Sequence, residues 1–233
     1  EMSASLVGSE MCIRDRDGSD PYAPYYRKGS AASHITVSEI DAINLADVEL
    51  VHVTGIPPAL SQSAREATFR LMDRAKENGI FITFDPNLRP ALWEDEETMC
   101  TVINQLAAKA DVVLPGIGEC KILAGTEDKK EAADFYQKLG VKTVIIKDGS
   151  KGAYVQNADE NYNVAGYKVE KVVDTVGAGD GFAVGVLSGI LEGLDLKTSV
   201  KRGNAIGAIQ VMNIGDNEGL PTPEELKAFQ ESN

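Results

Sequence analysis

The stretch Asp174-Thr175-Val176-Gly177-Ala178-Gly179-Asp180 follows a β-rich run, Tyr167 to Val173, and opens a long apolar stretch of helical spacing, Gly181 to Leu191. Gly177 and Gly179 flank an alanine, so the backbone passes close to a ligand with no Cβ in the way. The first N–H groups of a helix starting there have no intrahelical acceptor. With the helix dipole they favour an anion, above all a phosphate. An aspartate at the same end would repel that anion. Asp180 makes chemical sense there as the group that takes a proton from a hydroxyl attacking the phosphate. The plain structural alternative is a glycine-rich turn with Asp180 capping the helix.

Upstream, strands and helices alternate. Leu50 to Thr54 is a β-branched apolar run ending at Gly55. Ser61 to Asn78 carries helical spacing through Ala64, Phe69, Leu71 and Ala75 and stops at Gly79, a residue suited to the left-handed turn after a helix. Ile80 to Phe84 reads as a strand ending in Asp85-Pro86, Glu96 to Lys109 as a helix, and Asp111 to Leu114 as a short strand closed by Pro115. Short helices follow around Glu119 to Leu123 and Lys129 to Leu139, then strands at Val141 to Lys147 and Ala153 to Gln156 across a Gly149/Gly152 turn. Leu196 to Met212 and Pro223 to Gln230 complete a helical last third. This alternation predicts an α/β fold, a doubly wound parallel sheet with helices on both faces. Ligands then bind beyond the carboxyl ends of the strands, where the turns Thr54-Gly55-Ile56, Asp85 to Arg89, Pro115 to Glu119 and Asp174 to Asp180 fall. Residues 18–48 lack the rhythm and read as the tail of a smaller β element feeding the main sheet.

Composition narrows the function classes. The 233 residues suffice for one substantial α/β core, and 43% hydrophobic with 25% charged residues is ordinary for a globular protein. A formal net charge of −13 argues against nucleic acid or an anionic membrane as partner. Cys12, Cys100 and Cys120 form no Cys-x-x-Cys pair, which suits a reducing cytoplasm and gives neither zinc site nor disulfide framework. No apolar run reaches the roughly 18 residues of a membrane span. His34 and His52 have no metal-ligand spacing and receive no role.

The Asp174–Asp180 stretch resembles the C-terminal signature of the ribokinase-like (PfkB) sugar kinases, Asp-Thr-x-Gly-Ala-Gly-Asp, at every fixed position. Further segments resemble the subgroup of that family acting on a sugar acid, 2-keto-3-deoxygluconate: Tyr25-Tyr26-Arg27, Asp85-Pro86-Asn87-Leu88-Arg89, and Gly215-Asp216-Asn217-Glu218-Gly219. The resemblance spans about residues 19–230. It implies ATP and Mg²⁺ as cofactors and phosphorylation of the C6 hydroxyl, with Asp180 as catalytic base beside Gly177, Ala178 and Gly179. It also implies that Tyr25, Arg27, Ile56, Arg89 and Asp216 hold the sugar acid, Arg27 and Arg89 as its cations. On the nucleotide side it implies Asn87, Leu88, Arg89, the turn Lys147-Asp148-Gly149-Ser150-Lys151-Gly152, and Asn204. Many family members carry Asn-x-x-Glu where this chain has Gly116-Ile117-Gly118-Glu119, so Glu119 is left to act on Mg²⁺ through water. The same resemblance leaves open a neutral-sugar or nucleoside kinase, a non-catalytic nucleotide-binding protein, and a homo-oligomer of the full-length protein. Taken singly, Tyr25–Arg27 reads as an exposed strand, Asp85–Arg89 as a turn with a surface arginine, Ile56 as a core or loop residue, Lys147–Gly152 as a hairpin, Asn204 as an exposed helical residue, and Asp216 as part of an acidic turn.

Residues Ser5 to Arg16 fit neither helical nor strand spacing and resemble a translated sequencing-adaptor scar, so residues 1–17 are expected to be non-native. Residues 18–48 are then expected to be a remnant of a lid and substrate region, and 49–233 the nucleotide- and substrate-binding core. The family's first strand, Gly-Gly motif and most of its β lid are not visible before Asp20. The expectation is a chain lacking part of the sugar site and inactive alone.

Overall fold

The computed structural model describes residues 27, 29–215 and 217–233. The β-branched and apolar runs form strands β1 (Leu50–Thr54), β2 (Phe81–Asp85), β3 (Val112–Val113), β4 (Thr143–Lys147), β5 (Ala153–Gln156) and β6 (Asn161–Val164). They lie in one sheet in chain order. β1 to β4 pair in parallel, while β5 and β6 pair antiparallel. The antiparallel edge follows from the short connections after β4 and β5, which permit hairpins but no crossover.

The helices are α1 (Val37–Asp41), α2 (Pro57–Leu60), α3 (Gln62–Glu77), α4 (Glu96–Ala107), α5 (Ile117–Leu123), α6 (Lys129–Lys138), α7 (Ala178–Leu191), α8 (Leu196–Gln210) and α9 (Pro223–Ser232). Right-handed crossovers through strands in rising order put every crossover helix on one face. Val53, Phe84, Val113 and Val144 point to that face and share a core with Met72 of α3, Ile103 and Leu106 of α4, Leu123 of α5 and Tyr136 of α6. Alternate strand residues, Val112, Ile145 and Val155, face the other way against Phe182 and Val186 of α7 and Val200 of α8. The expectation of helices on both faces holds, with the second face supplied by the end of the chain.

Two segments differ from their sequence reading. Tyr167 to Val173 forms no strand. Its Val173 and Asp174 N–H groups donate to the Val211 carbonyl at 2.7 and 3.2 Å, beyond α8, and Val172 and Val173 face solvent at 55% and 43% exposure. The C-terminal carbonyls of a helix need donors, and this segment supplies them. The described part of residues 18–48 carries a 3₁₀ turn (Ala31–His34) and the short α1, with no strand among the described residues. Thr36 and Glu39 satisfy the start of α1 through a capping box, which gives that stretch a local reason to be helical.

α7 and α8 meet along a seam of small residues. A Cβ on Gly185 would stand 2.6 Å from the Gly203 Cα, and one on Gly189 2.6 Å from the Ser199 hydroxyl. Gly118 in α5, by contrast, has nothing within 4 Å of that position. Gly185→Ala is therefore expected to destabilise despite its better helix propensity, since overpacking costs about 1–3 kcal/mol against a propensity gain of up to about 1 kcal/mol. Gly118→Ala is expected to be neutral or slightly stabilising. Urea unfolding of the two variants checks the pair; equal stabilities would show the seam to be loose.

Candidate active site

The turns after β1 and β2 are pressed together. The Gly55 N–H donates to the Asp85 carbonyl at 3.0 Å, and a Cβ on Gly55 would lie 2.0 Å from the Pro86 oxygen. Ile56 follows at the N-cap of α2, partly buried. Asp85, 2% exposed, accepts the Asn87 N–H on Oδ1 at 3.1 Å and the Lys147 ammonium on Oδ2 at 2.5 Å. This is the Asx arrangement by which an aspartate fixes the backbone two residues on. Among the described residues, Asn87 is the one non-glycine with positive φ, at 39°. Beyond it, Leu88 N–H donates to Glu119 Oε1 and Gly116 N–H to Glu119 Oε2, each at 2.7 Å. Arg89 follows, half-buried, with its Nη1 on the Leu88 carbonyl at 2.9 Å.

On the second face, Gly177 takes the left-handed conformation, φ 76°, and caps α7, which starts at Ala178 rather than at Gly181. Asp180 thus stands in the first helical turn, where the amides of Gly179 and Asp180 have no intrahelical acceptor. Asp174 is buried and holds this turn: its Oδ1 accepts Val176 N–H at 3.2 Å, and its Oδ2 accepts Gly215 N–H at 3.1 Å.

Beside the start of α7, on the second face, lies a cleft of about 330 Å³. Lys147, Gly149, Ser150, Gly152, Ala178, Gly179 and Asn204 line it, as the sequence reading expects of a nucleotide side. Its far end is walled by Tyr167, Val169 and Val211, which sequence reasoning missed because they lie on the segment read as a strand and at a helix end. Gly152 is at φ 91°, and a Cβ there would sit 2.1 Å from the Val164 oxygen, so the hairpin turn lies directly on the chain leaving β6. Asn204 is buried rather than exposed, and its Nδ2 donates to the Val164 and Ala165 carbonyls, each at 3.1 Å. Asp148 and Lys151 do not line the cleft, and neither do Asn87, Leu88, Arg89, Gly177 or Asp180. The Asp148 carboxylate pairs with Lys129 at 2.6 Å and Lys151 at 3.7 Å. Arg27 is half-buried at the edge of the described residues, its carbonyl accepting Ser30 N–H at 3.2 Å. The Ser33 carbonyl accepts the Ser61 hydroxyl at 2.6 Å, which brings this segment beside the turn carrying Ile56. Tyr25 and Asp216 lie outside the described residues.

Charge at the site is concentrated around Lys147. Burial alone would weaken its ammonium, but the charges of Asp85, Glu119 and Asp180 outweigh it and hold the pKa above the usual lysine value. Partial desolvation, then the Asp85 charge, raises the Asp180 carboxyl above the ordinary aspartate range, while Lys147, Arg89 and His52 pull it back. Burial likewise raises Glu119. His52 sits on the same sheet face, its Nδ1 2.8 Å from the Thr83 hydroxyl, and burial lowers its pKa so that it favours the neutral ring. No group of three or more His, Cys, Asp or Glu side chains is arranged around a metal position among the described residues. Both Glu119 oxygens are taken by backbone amides, so this carboxylate is first a clamp between two strand ends. The donor set fits an Mg²⁺ ion held chiefly by phosphate oxygens and water rather than by a protein cage.

A phosphate-directed helix end bearing a carboxylate, set at the carboxyl edge of a parallel sheet and facing a mainly apolar cleft, places the chain in the ribokinase-like α/β class. Residues 8–223 match the pfkB family of carbohydrate kinases, and the chain belongs to that family. It is 50% identical over 210 residues to 2-dehydro-3-deoxygluconokinase of Bacillus subtilis (strain 168), an alignment covering 90% of this chain and 65% of that protein. It is 38% identical over 204 residues to the protein of the same name from Thermoproteus tenax, covering 87% and 61% respectively. The chain therefore spans less than two thirds of the length of these relatives. Among solved structures it is similar to a PfkB protein from Polaromonas sp. JS666, with a TM-score of 0.83, 43% identity and coverage of 94% of this chain and 69% of that one. It is also similar to fructokinase from Vibrio cholerae O395 bound to fructose, ADP and calcium, with a TM-score of 0.86, 29% identity and coverage of 95% and 73%. Among the described residues no helix is long and apolar enough to cross a membrane.

The clamp role of Glu119 has a measurable consequence. Glu119→Ala orphans the Leu88 and Gly116 amides, and each buried unsatisfied group costs about 1–3 kcal/mol. Glu119→Gln keeps one acceptor and is expected to lose less. Urea unfolding of both variants checks this; an unchanged midpoint for Glu119→Ala would show that the two amides do not depend on the carboxylate.

Proposed function

We propose that the protein, in its native full-length form, transfers the terminal phosphoryl group of ATP to the C6 hydroxyl of 2-keto-3-deoxygluconate, giving ADP and the 6-phosphate. The observation that carries this reading is the position of Asp180, at the phosphate-directed start of α7 and close enough to Arg89 for their charges to interact. The relative at 50% identity, a 2-dehydro-3-deoxygluconokinase, supports the sugar acid over a neutral sugar. The fold likeness to fructokinase, at 29% identity, speaks only for the shared architecture and leaves a neutral sugar as the second reading.

In this reading Asp180 accepts the proton of the attacking hydroxyl, and the amides of Gly179 and Asp180 stabilise charge on the group in transfer. Lys147 adds a cation at the same cleft. Mg²⁺, when bound, would supply further neutralisation of the phosphate charge. Arg89 and Arg27 are the cations for the sugar acid, whose planar carboxylate suits a guanidinium fork. Ile56 lies beside its carbon skeleton, and Tyr25 and Asp216 complete its contacts. Asn204 acts on the nucleotide side by holding the chain after β6 against the cleft.

Asp180→Asn is expected to lower turnover by about 10²–10⁴-fold, the usual contribution of a general base, with binding of a non-hydrolysable ATP analogue retained. Loss of less than about tenfold would remove Asp180 from that role. The pH profile gives its own check. A base must be ionised, and burial with the Asp85 charge holds Asp180 above the ordinary aspartate range. Activity should therefore fall, as pH drops, through an acid limb lying above that range, and this limb should be absent from the residual activity of Asp180→Asn.

Arg89→Ala is expected to weaken use of the sugar acid about ten- to a hundred-fold, the worth of a hydrogen bond to a charged group, with less effect on a neutral sugar. Phosphorylation assayed across both substrate types checks the difference. Equal losses on the two would place Arg89 in the fold rather than in carboxylate recognition.

A further inference from the structure

The turn that presents Arg89 and the lysine that lines the nucleotide cleft hang on one side chain. Asp85 ends β2, and Lys147 ends β4, with β3 between them. The two carboxylate oxygens of Asp85 are divided. Oδ1 holds the Asn87 N–H at 3.1 Å and so supports the left-handed backbone that turns the chain toward Leu88 and Arg89. Oδ2 holds the Lys147 Nζ at 2.5 Å. The pair is nearly dry, with side-chain exposure of 19% for Lys147 and 3% for Asp85. Lys147 Nζ also lies 3.8 Å from the position a Cβ on Gly179 would take, in the first turn of α7 and next to Asp180. Asp85 does not line the cleft.

We propose that Asp85 is a positioning residue that couples the two halves of the site, so that nucleotide in the cleft raises affinity for the phosphoryl acceptor and the acceptor raises affinity for nucleotide. This rests on the reading of the protein as an ATP-dependent sugar-acid kinase. The physical route is short. A phosphate drawn to Lys147 shares the ammonium with Asp85, since its three N–H donors can serve both, and fixes the ammonium's position; Asp85 transmits that position to the Asn87–Arg89 turn through its other oxygen. The reverse path runs from a carboxylate on Arg89, through the turn, to the lysine. Linkage requires the two effects to be equal in size. Burial makes the link stiff, because neither charge has water to turn to when the other shifts.

The test is a binding square on the full-length protein: a non-hydrolysable ATP analogue measured with and without saturating 2-keto-3-deoxygluconate, and the sugar acid measured with and without the analogue. Wild type is expected to show synergy within the usual range for coupled sites, about 5–150-fold. Asp85→Asn keeps an Oδ1 for the Asn87 amide and loses the charge for Lys147. It is expected to reduce the synergy to about one and to weaken the analogue alone by about tenfold, although Asp85 does not line the cleft. Asp85→Asn leaves a buried ammonium unpaired and is liable to fold poorly. The double variant Asp85→Asn with Lys147→Met removes both charges, and its synergy is likewise expected to vanish. Wild-type synergy in either folded variant overturns the proposal, as does wild type binding both ligands independently. Should wild type fail to bind the sugar acid, the substrate reading falls by itself. The analogue-only arm then decides: unchanged affinity in Asp85→Asn overturns the positioning role, and weakened affinity upholds it.

Discussion

An ammonium removed from water is tolerated only where opposite charge meets it at close range, and the site of this protein is organised by that demand at Lys147. Asp85 answers it directly, and Glu119 and Asp180 answer it through space. The carboxylates in turn need the lysine: without it they would repel one another beyond the strand ends, and Asp180, already raised by burial and by Asp85, would hold its proton more tightly still. Lys147, the Asp85–Arg89 turn and Asp180 are thus neighbours because their charges have to be settled together.

The chain path makes this meeting possible. Strands in rising order with right-handed crossovers load α3 to α6 onto one face. The opposite face is left for α7 and α8, which come late in the sequence and lie close together through Gly185, Gly189 and Gly203. The seam sets the height of α7 above the sheet, and so carries Asp180 to the carboxyl edge where β1, β2 and β4 end. Hydrogen bonds from the strand-end turns then lock the parts in register. Glu119 joins the turns after β2 and β3, and Asp174 joins the start of α7 to Gly215. These side chains are buried or nearly so, and each satisfies backbone groups that a tight turn leaves without partners.

Much was legible in the sequence because it rests on short-range rules. Short β-branched and apolar runs gave the strands from β1 to β5, helical spacing gave α3 to α9, and Gly79 marked the end of α3 through its left-handed backbone, φ 68°. The Asp174–Asp180 stretch foretold a helix start with amides that lack intrahelical acceptors, since that property belongs to a handful of consecutive backbone groups. The Asn87 turn was readable in principle as well, because an aspartate two residues earlier is a local signal for it. Other features were not local. Tyr167 to Val173 has the β-branched content of a strand, yet no neighbouring strand edge receives it, and its donors go instead to the end of α8. Asn204 reads as exposed on its own helix, but the carbonyls it satisfies, Val164 and Ala165, are some forty residues away in sequence. Nothing in the local sequence of the Lys147 turn shows that the fold pairs its ammonium with Asp85, 62 residues away. The sequence by itself thus determined most of the elements, their order and the glycine-bounded start of α7, because each depends on neighbouring residues. Which charge faces which, and hence what Glu119, Asp85 and Lys147 do, was decided only when the sheet brought distant strand ends within hydrogen-bonding reach, since the energy of a charge depends on burial and partners that no local pattern encodes.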